Sequence, residues 1–435
     1  MLRKFAIPVL AVVVIGLLGF TILASRPSIA PVKNSPNRAS FSTESIAKGE
    51  MLVAEGHCVS CHIRPGGQPL AGGYGVNTPF GVIYGTNITP DNKTGIGLWS
   101  LAAFTRAMRE GVSRDGHHLY AAFPYTAFTE LSDDDINALY AYLMTRTPVS
   151  ATVPTNTVPF PLDIRLLEEG WKILFFRKKT FQANPAKGAE WNRGAYLAEA
   201  LSDCGGCHTP RNALGGEKLR LAYAGAVVDR WLAPPLTKDN PSPIPWREDQ
   251  LFNFLRTGVD PLHGPVAATM TPVVRDALNL PVVPDADVRA IAIYFSDINQ
   301  AAAHGADAEV VTKAMETSPL GSGQDYDPDG NLYASACMSC HYNSGTTPRG
   351  ARPELALSSS LTLPEPTNFI QAVLQGIGAK DGVPGLVMPA YASSLTNADV
   401  AGLAAYLRRT RTSLPPWTDL EKKVASARKG LKASR

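Results

Sequence analysis

The sequence has no cysteine outside three close pairs, almost no strand patterning, little net charge, and neither a Gly-rich dinucleotide fingerprint nor a catalytic-triad signature. Each absence excludes something. Lys and Arg number 41 against 38 Asp and Glu, a net +3 over 435 residues, which rules out the concentrated basic face that nucleic acid requires. Charged residues are 18% and hydrophobic residues 45% of the chain, so general disorder is excluded as well. Period-two runs closed by Asn-Gly turns are nearly missing, which leaves an all-α fold as the expectation. The length is that of roughly three domains.

What is present begins at the N-terminus. Arg3 and Lys4 precede an apolar run from Phe5 to Ala24, long enough to cross a bilayer as a helix. The best small-x-small cleavage site, Ser28-Ile29-Ala30, is followed by Pro31 and is poorly formed. Residues 1–30 are therefore expected to be a retained transmembrane signal-anchor, which places the rest of the chain on the periplasmic side of the inner membrane. A soluble carrier released by cleavage is the alternative.

The six cysteines fall as Cys58/Cys61, Cys204/Cys207 and Cys337/Cys340, each pair followed at once by a histidine: His62, His208 and His341. The pairs start 146 and 133 residues apart, and other features recur in step, so the chain reads as three copies of one unit. Each unit closes with an amphipathic helix: LSDDDINALYAYL from Leu131, VPDADVRAIAIYF from Val283 and LTNADVAGLAAYL from Leu395. Ser132 and Thr396 stand where N-caps belong, with Asp135 and Asp399 three residues on. An earlier amphipathic helix precedes each: WSLAAFTRAMREGV, WREDQLFNFLRTGV and PTNFIQAVLQGI. The expected division is domain 1 over 31–150, a linker over 151–190, domain 2 over 191–300, a linker over 301–330, domain 3 over 331–412 and a basic tail over 413–435. The first linker is unusually greasy: Trp171, Leu174, Phe175 and Phe176 lie beside Arg177-Lys178-Lys179, which fits interdomain packing or docking to a partner or membrane surface.

CVSCH, CGGCH and CMSCH each match C-x-x-C-H, the attachment signature for c-type haem. Residues three and four apart share a helix face, so two thiols reach the haem vinyl groups while the histidine meets the iron. A disulfide, a redox dithiol or half a zinc site is the rival reading of one C-x-x-C, but three copies each completed by histidine on an exported chain weigh against it, and a dithiol oxidoreductase would need neither the histidine nor three copies. Three covalently bound haems c are the expected cofactors. The ring nitrogen of each histidine away from the iron needs an acceptor, and the carbonyls near Pro65 and Pro210 are candidates. For the sixth ligand, Met388 follows His341 by 47 residues and Met270 follows His208 by 62, both between the two amphipathic helices of their unit. In the first unit that loop holds Phe123, while Met108 and Met144 fall on predicted helices and read as core. The first iron is expected to be open or water-bound, with His117 or His118 as the alternative ligand.

These residues resemble the three-haem cytochrome c subunits of bacterial membrane-bound dehydrogenases, those acting on alcohols, gluconate, aldehydes and N-heterocycles. PFGVIYGTNITPDNKTGIGLWS, FQANPAKGAEWNRGAYLAEALSDCGGCHTPRNALGG, PEPTNFIQAVLQGI and VMPAYASSLTNADVAGLAAYL carry the resemblance. It implies three tandem cytochrome c-like domains and a periplasmic location on the inner membrane. Electrons would come from a separate catalytic subunit carrying a flavin, pyrroloquinoline quinone or molybdopterin and pass to ubiquinone or a further carrier, with room for a small third subunit. Such a chain is an electron carrier and not itself an enzyme. Phe123 departs from the family, which has methionine there; the rival reading is a peroxidase-like haem enzyme working at an open first site.

Overall fold

Ser42 accepts a hydrogen bond from the Ser45 N–H at 3.1 Å and so starts a helix, α1 (Thr43–Glu55), immediately ahead of the first cysteine pair. The computed structural model describes residues 14–16, 18–301, 307–318, 327–348, 353–378 and 387–433. These divide into two compact units, one of residues 1–183 with 199–203 and one of 184–198 with 204–435. The first motif lies in the first unit and the other two in the second.

In the first unit, α1 leads into α2 (Cys58–Cys61), a hairpin of β1 (Gly75–Thr78) and β2 (Gly81–Tyr84), α3 (Leu101–Glu110) and the closing helix α4 (Asp133–Met144). The expected cap is present: Ser132 accepts from the Asp135 N–H at 3.1 Å. Gly49 lets α1 cross α4 closely, because a Cβ there would strike the Ala138 carbonyl. Leu52, Phe104, Ile136, Leu139 and Tyr140 fill the core, with Met108 and Met144 buried beside them as expected. The linker forms α5 (Leu167–Phe175). Trp171 and Phe176 pack edge-on against buried Tyr125, whereas Ile173 and Leu174 stay exposed.

The second unit repeats the plan twice. The first copy has α6 (Ala189–Tyr196), α7 (Cys204–His208), a hairpin of β3 (Ala226–Val228) and β4 (Trp231–Ala233), then α8 (Glu248–Thr257). A two-residue ladder of β5 (Val259–Asp260) and β6 (Gly264–Pro265) follows, and α9 (Asp285–Ile298) closes. Gly194 of α6 meets Ala290 of α9 as Gly49 meets Ala138. The stretch read as a second linker holds α10 (Asp307–Thr317), whose Val311, Ala314 and Met315 are buried with Ile244 and Leu357. The last copy comprises α11 (Pro328–Ala336), α12 (Met338–His341), α13 (Thr367–Gln375) and α14 (Asn397–Arg411) around Tyr333, Phe369, Leu403 and Trp417. Thr396 and Asp399 form a reciprocal capping box. The basic tail is itself a helix, α15 (Leu420–Ala433), docked by fully buried Val424.

Two parts of the expected fold are corrected. The chain is not wholly α: β1–β2, β3–β4 and β5–β6 are antiparallel pairs, too short for a period-two run and turned without Asn-Gly. The N-terminal transmembrane helix is also overturned, since among the described residues no helix is long and apolar enough to cross a membrane. Of the expected span, residues 1–13 and 17 lie outside the described residues, and the helix over 18–24 falls far short of the ~20 residues that crossing requires.

Candidate functional site

A single turn of helix runs through each C-x-x-C-H sequence, over Cys58–Cys61 with His62 as its C-cap, over Cys204–His208, and over Met338–His341 with Cys337 as its N-cap. In the first two motifs the residue before the first cysteine is left-handed, His57 at φ 40° and Asp203 at φ 45°, a break that starts the motif turn afresh. All six cysteines are thiols and none is in a disulfide. Burial, helped by neighbouring Cys61, pushes the Cys58 thiol up to about 12, and burial with Cys340 pushes Cys337 up to about 11. These are sulfhydryls kept as S–H, the form that adds across a vinyl group.

The six thiols are not sheltered alike. Cys207 and Cys340 are exposed, whereas Cys58, Cys61, Cys204 and Cys337 are half-buried. Three residues span about 300° of a helix, so the two side chains of a pair diverge by about 60°. In the second and third motifs the first thiol is half-buried and the second, Cys207 or Cys340, lies at the solvent edge.

The histidines share one arrangement. His62 Nδ1 lies 2.6 Å from the Thr86 carbonyl, His208 Nδ1 2.7 Å from that of Pro234, and His341 Nδ1 3.3 Å from that of Pro353. With Nδ1–H donated to a backbone oxygen, Nε2 is the ring atom whose lone pair faces a metal. Burial lowers the pKa of all three below the usual histidine value, opposed in part by that hydrogen bond, a shift toward the neutral imidazole that ligates a metal. The donor set therefore fits haem c. The expected acceptors near Pro65 and Pro210 are wrong, because the true ones come 12 to 26 residues after the histidine, on a chain that folds back over the motif. In the first site Gly85 makes this possible: a Cβ there would collide with the Cys61 carbonyl.

The second helix of each repeat ends at a glycine, Gly111, Gly258 or Gly376, and twelve residues later stand Phe123, Met270 and Met388. Left-handed Gly111 and Gly258 turn the chain into corresponding pairings, Val112 with His118 and Val259 with Pro265, so Phe123 and Met270 are equivalent positions. Met388 pairs its backbone with Ile377 at 2.9 Å in both directions. It packs on the same cluster as Cys337, and Tyr391 beside it donates to the Ala336 carbonyl at 3.0 Å. Phe123 packs edge-on against Phe128.

Neither alternative ligand of the first site is poised for iron. His118 is buried, with Nε2 at 2.7 Å from the Ala24 carbonyl and Nδ1 at 3.0 Å from Lys172 Nζ. His117 is turned to Asp115, 2.9 Å away. Lys172 also donates to the carbonyls of Glu110 and Gly111 at 2.6 and 2.8 Å, closing the end of α3; burial, opposed by Glu169 and Glu168, lowers its pKa to about 8. Composition and periodicity gave no sign of this lysine, which sits in a run that reads as greasy.

Residues 46–147 match the cytochrome c family, and residues 325–407 match subunit III of cbb3-type cytochrome C oxidase. The chain is 44% identical over 415 residues to a nicotinate dehydrogenase subunit of Pseudomonas putida, covering 94% of this chain but 34% of that protein, so it spans about a third of that relative's length. It is 33% identical to the fructose dehydrogenase cytochrome subunit of Gluconobacter japonicus, covering 89% of this chain and 83% of the relative. It is 36% identical to the gluconate 2-dehydrogenase cytochrome c subunit of Pantoea cypripedii, covering 88% and 89%. With a histidine beside each pair of thiols and relatives of this kind matched over most of their length, the chain belongs to the cytochrome c subunits of dehydrogenase complexes, the electron-transfer chains rather than the catalytic ones.

Proposed function

We propose that the chain holds three haems c, attached through Cys58/Cys61, Cys204/Cys207 and Cys337/Cys340, with His62, His208 and His341 as axial ligands. Met270 and Met388 complete the second and third irons, and the first lacks a strong sixth ligand because Phe123 stands in that place. Haem supplies reversible one-electron chemistry; the protein's part is to attach, orient and shield it. The task is conduction, from a separate catalytic subunit of flavin, pyrroloquinoline quinone or molybdopterin type to ubiquinone or another respiratory acceptor. It takes place on the periplasmic side of the inner membrane, in a complex that has room for a small third subunit.

The observation that carries this reading is the threefold repetition of one donor set, two thiols on a helical turn beside an imidazole whose Nδ1 is already committed to a carbonyl. A dithiol or disulfide role leaves that hydrogen bond without purpose. Denaturing mass spectrometry of the chain matured with a haem-attachment system tests the count. Three haem additions are expected, and two or fewer in repeated preparations would end the three-haem reading.

A further inference from the structure

The hairpins that deliver the acceptor carbonyls to the first two histidines are too short to hold themselves. An isolated two-stranded ribbon is marginal in water, and the β3–β4 turn carries Asp229 and Arg230 at φ 45° and 68°, where side chains are strained. Each hairpin is gripped from outside by an asparagine. In the first unit the Tyr84 N–H donates to Asn156 Oδ1 at 2.8 Å, and Thr157 adds a strand-like pair, the Val82 N–H to its Oγ1 at 2.9 Å and its own N–H to the Val82 carbonyl at 3.0 Å. In the second unit the Leu232 N–H donates to Asn368 Oδ1 at 2.8 Å, and Asn368 Nδ2 donates back to the Leu232 carbonyl at 2.8 Å. Gln371, one helical turn on, reaches the carbonyl of Arg230 in the strained turn at 3.3 Å.

The two grips fall at the same place. Tyr84 stands two residues before the acceptor Thr86, and Leu232 two residues before the acceptor Pro234. The asparagines come from unrelated segments: Asn156 from the extended stretch after α4, and Asn368 from the first turn of α13, which belongs to the third repeat. Sequence homology between repeats therefore does not account for the coincidence. The hydrogen bonds they back are short, 2.6 and 2.7 Å, whereas His341, whose acceptor Pro353 belongs to no hairpin among the described residues, has 3.3 Å.

We propose that Asn156 and Asn368 are positioning residues for His62 and His208, each holding the carbonyl that orients its imidazole and makes it a stronger donor to iron. The inference rests on the haem reading above. A firmly held acceptor raises the basicity of the ligating histidine and favours the ferric state, so loosening it raises the potential of that haem alone. The arrangement also makes the second haem's potential depend on a side chain of the third repeat.

The test is a spectroelectrochemical redox titration of the full haem-loaded chain, unsubstituted and as Asn156→Leu, Asn156→Asp and Asn368→Leu. Haem mass additions are counted first, so that failure of the haem reading is seen separately. Asn156→Leu is expected to move one midpoint upward, and Asn368→Leu a different one, with the other two unchanged in each. Asn156→Asp, which keeps the acceptor for the Tyr84 N–H, is expected to restore the unsubstituted value. Should Asn368→Leu lose haem or fold poorly, the Asn156 pair decides the matter. Midpoints that do not move, that move together, or that the aspartate fails to restore would overturn the proposal.

Discussion

At the scale of single residues, the chain departs from its own pattern at Phe123. The position is equivalent to Met270 by its distance from the helix-ending glycine and by the pairing of the preceding loop, yet a phenyl ring has no lone pair for iron. His118, one of the two histidines offered as a substitute, has both ring nitrogens committed, one to the Ala24 carbonyl and one to Lys172. Electron paramagnetic resonance of the oxidised protein is therefore expected to show one high-spin haem beside two low-spin ones. Phe123→Met should convert the high-spin signal to low spin and make that haem easier to reduce, since a thioether raises the potential. Three low-spin signals in the unsubstituted chain would mean that another side chain reaches the iron. Lys172 is a separate case: Lys172→Met leaves the Glu110 carbonyl at the buried end of α3 without its donor. A loss of about 1–3 kcal/mol is expected in denaturant unfolding of the first unit, with haem content unaltered.

At the scale of elements, the three repeats are built on the same crossing of a first and a closing helix, and a small residue sits at the crossing. Gly194 is the sharpest instance: a methyl group there meets the Ala290 carbonyl and the Tyr294 Cβ. Gly194→Ala is expected to cost about 1–3 kcal/mol through overpacking, read as a lower melting temperature, while the same change at exposed Gly188, which has open space, should cost far less. The closing helices and their Ser132 and Thr396 caps were legible in the sequence because apolar spacing and capping chemistry are local. The motifs were legible for the same reason, although the spacing alone did not show that Cys207 and Cys340 lie at the solvent edge, which depends on what packs against each turn. The hairpins were not legible, since two to four residues cannot show a period, and their turns use Pro79-Phe80 and Asp229-Arg230 in place of Asn-Gly. The acceptor carbonyls Thr86, Pro234 and Pro353 were equally hidden: any backbone oxygen will serve, so residue type carries no signal and only the folded path selects one. Helix α10, in a stretch that reads as Ala- and Gly-rich linker, is held by burial of Val311 and Met315 against residues far away in sequence.

At the scale of the whole molecule, a chain with three repeated donor sets and no catalytic signature is a conductor that depends on another polypeptide for its electrons. Its relatives carry names tied to different substrates, nicotinate, fructose and gluconate, although the chain matches each of them over most of its own length. Substrate choice is thus expected to lie in the partner, and purification with the native complex should bring down a larger dehydrogenase chain. The measurement that tests this account most directly follows the haem absorbance of the purified chain, alone and in the co-purified complex, on addition of nicotinate, fructose, gluconate and ethanol in turn. No reduction of the isolated chain by any of them is expected, and in the complex substrate-dependent reduction is expected for the compound its dehydrogenase accepts. Reduction of the isolated chain by substrate, or turnover of the complex while its haems remain oxidised, would contradict it.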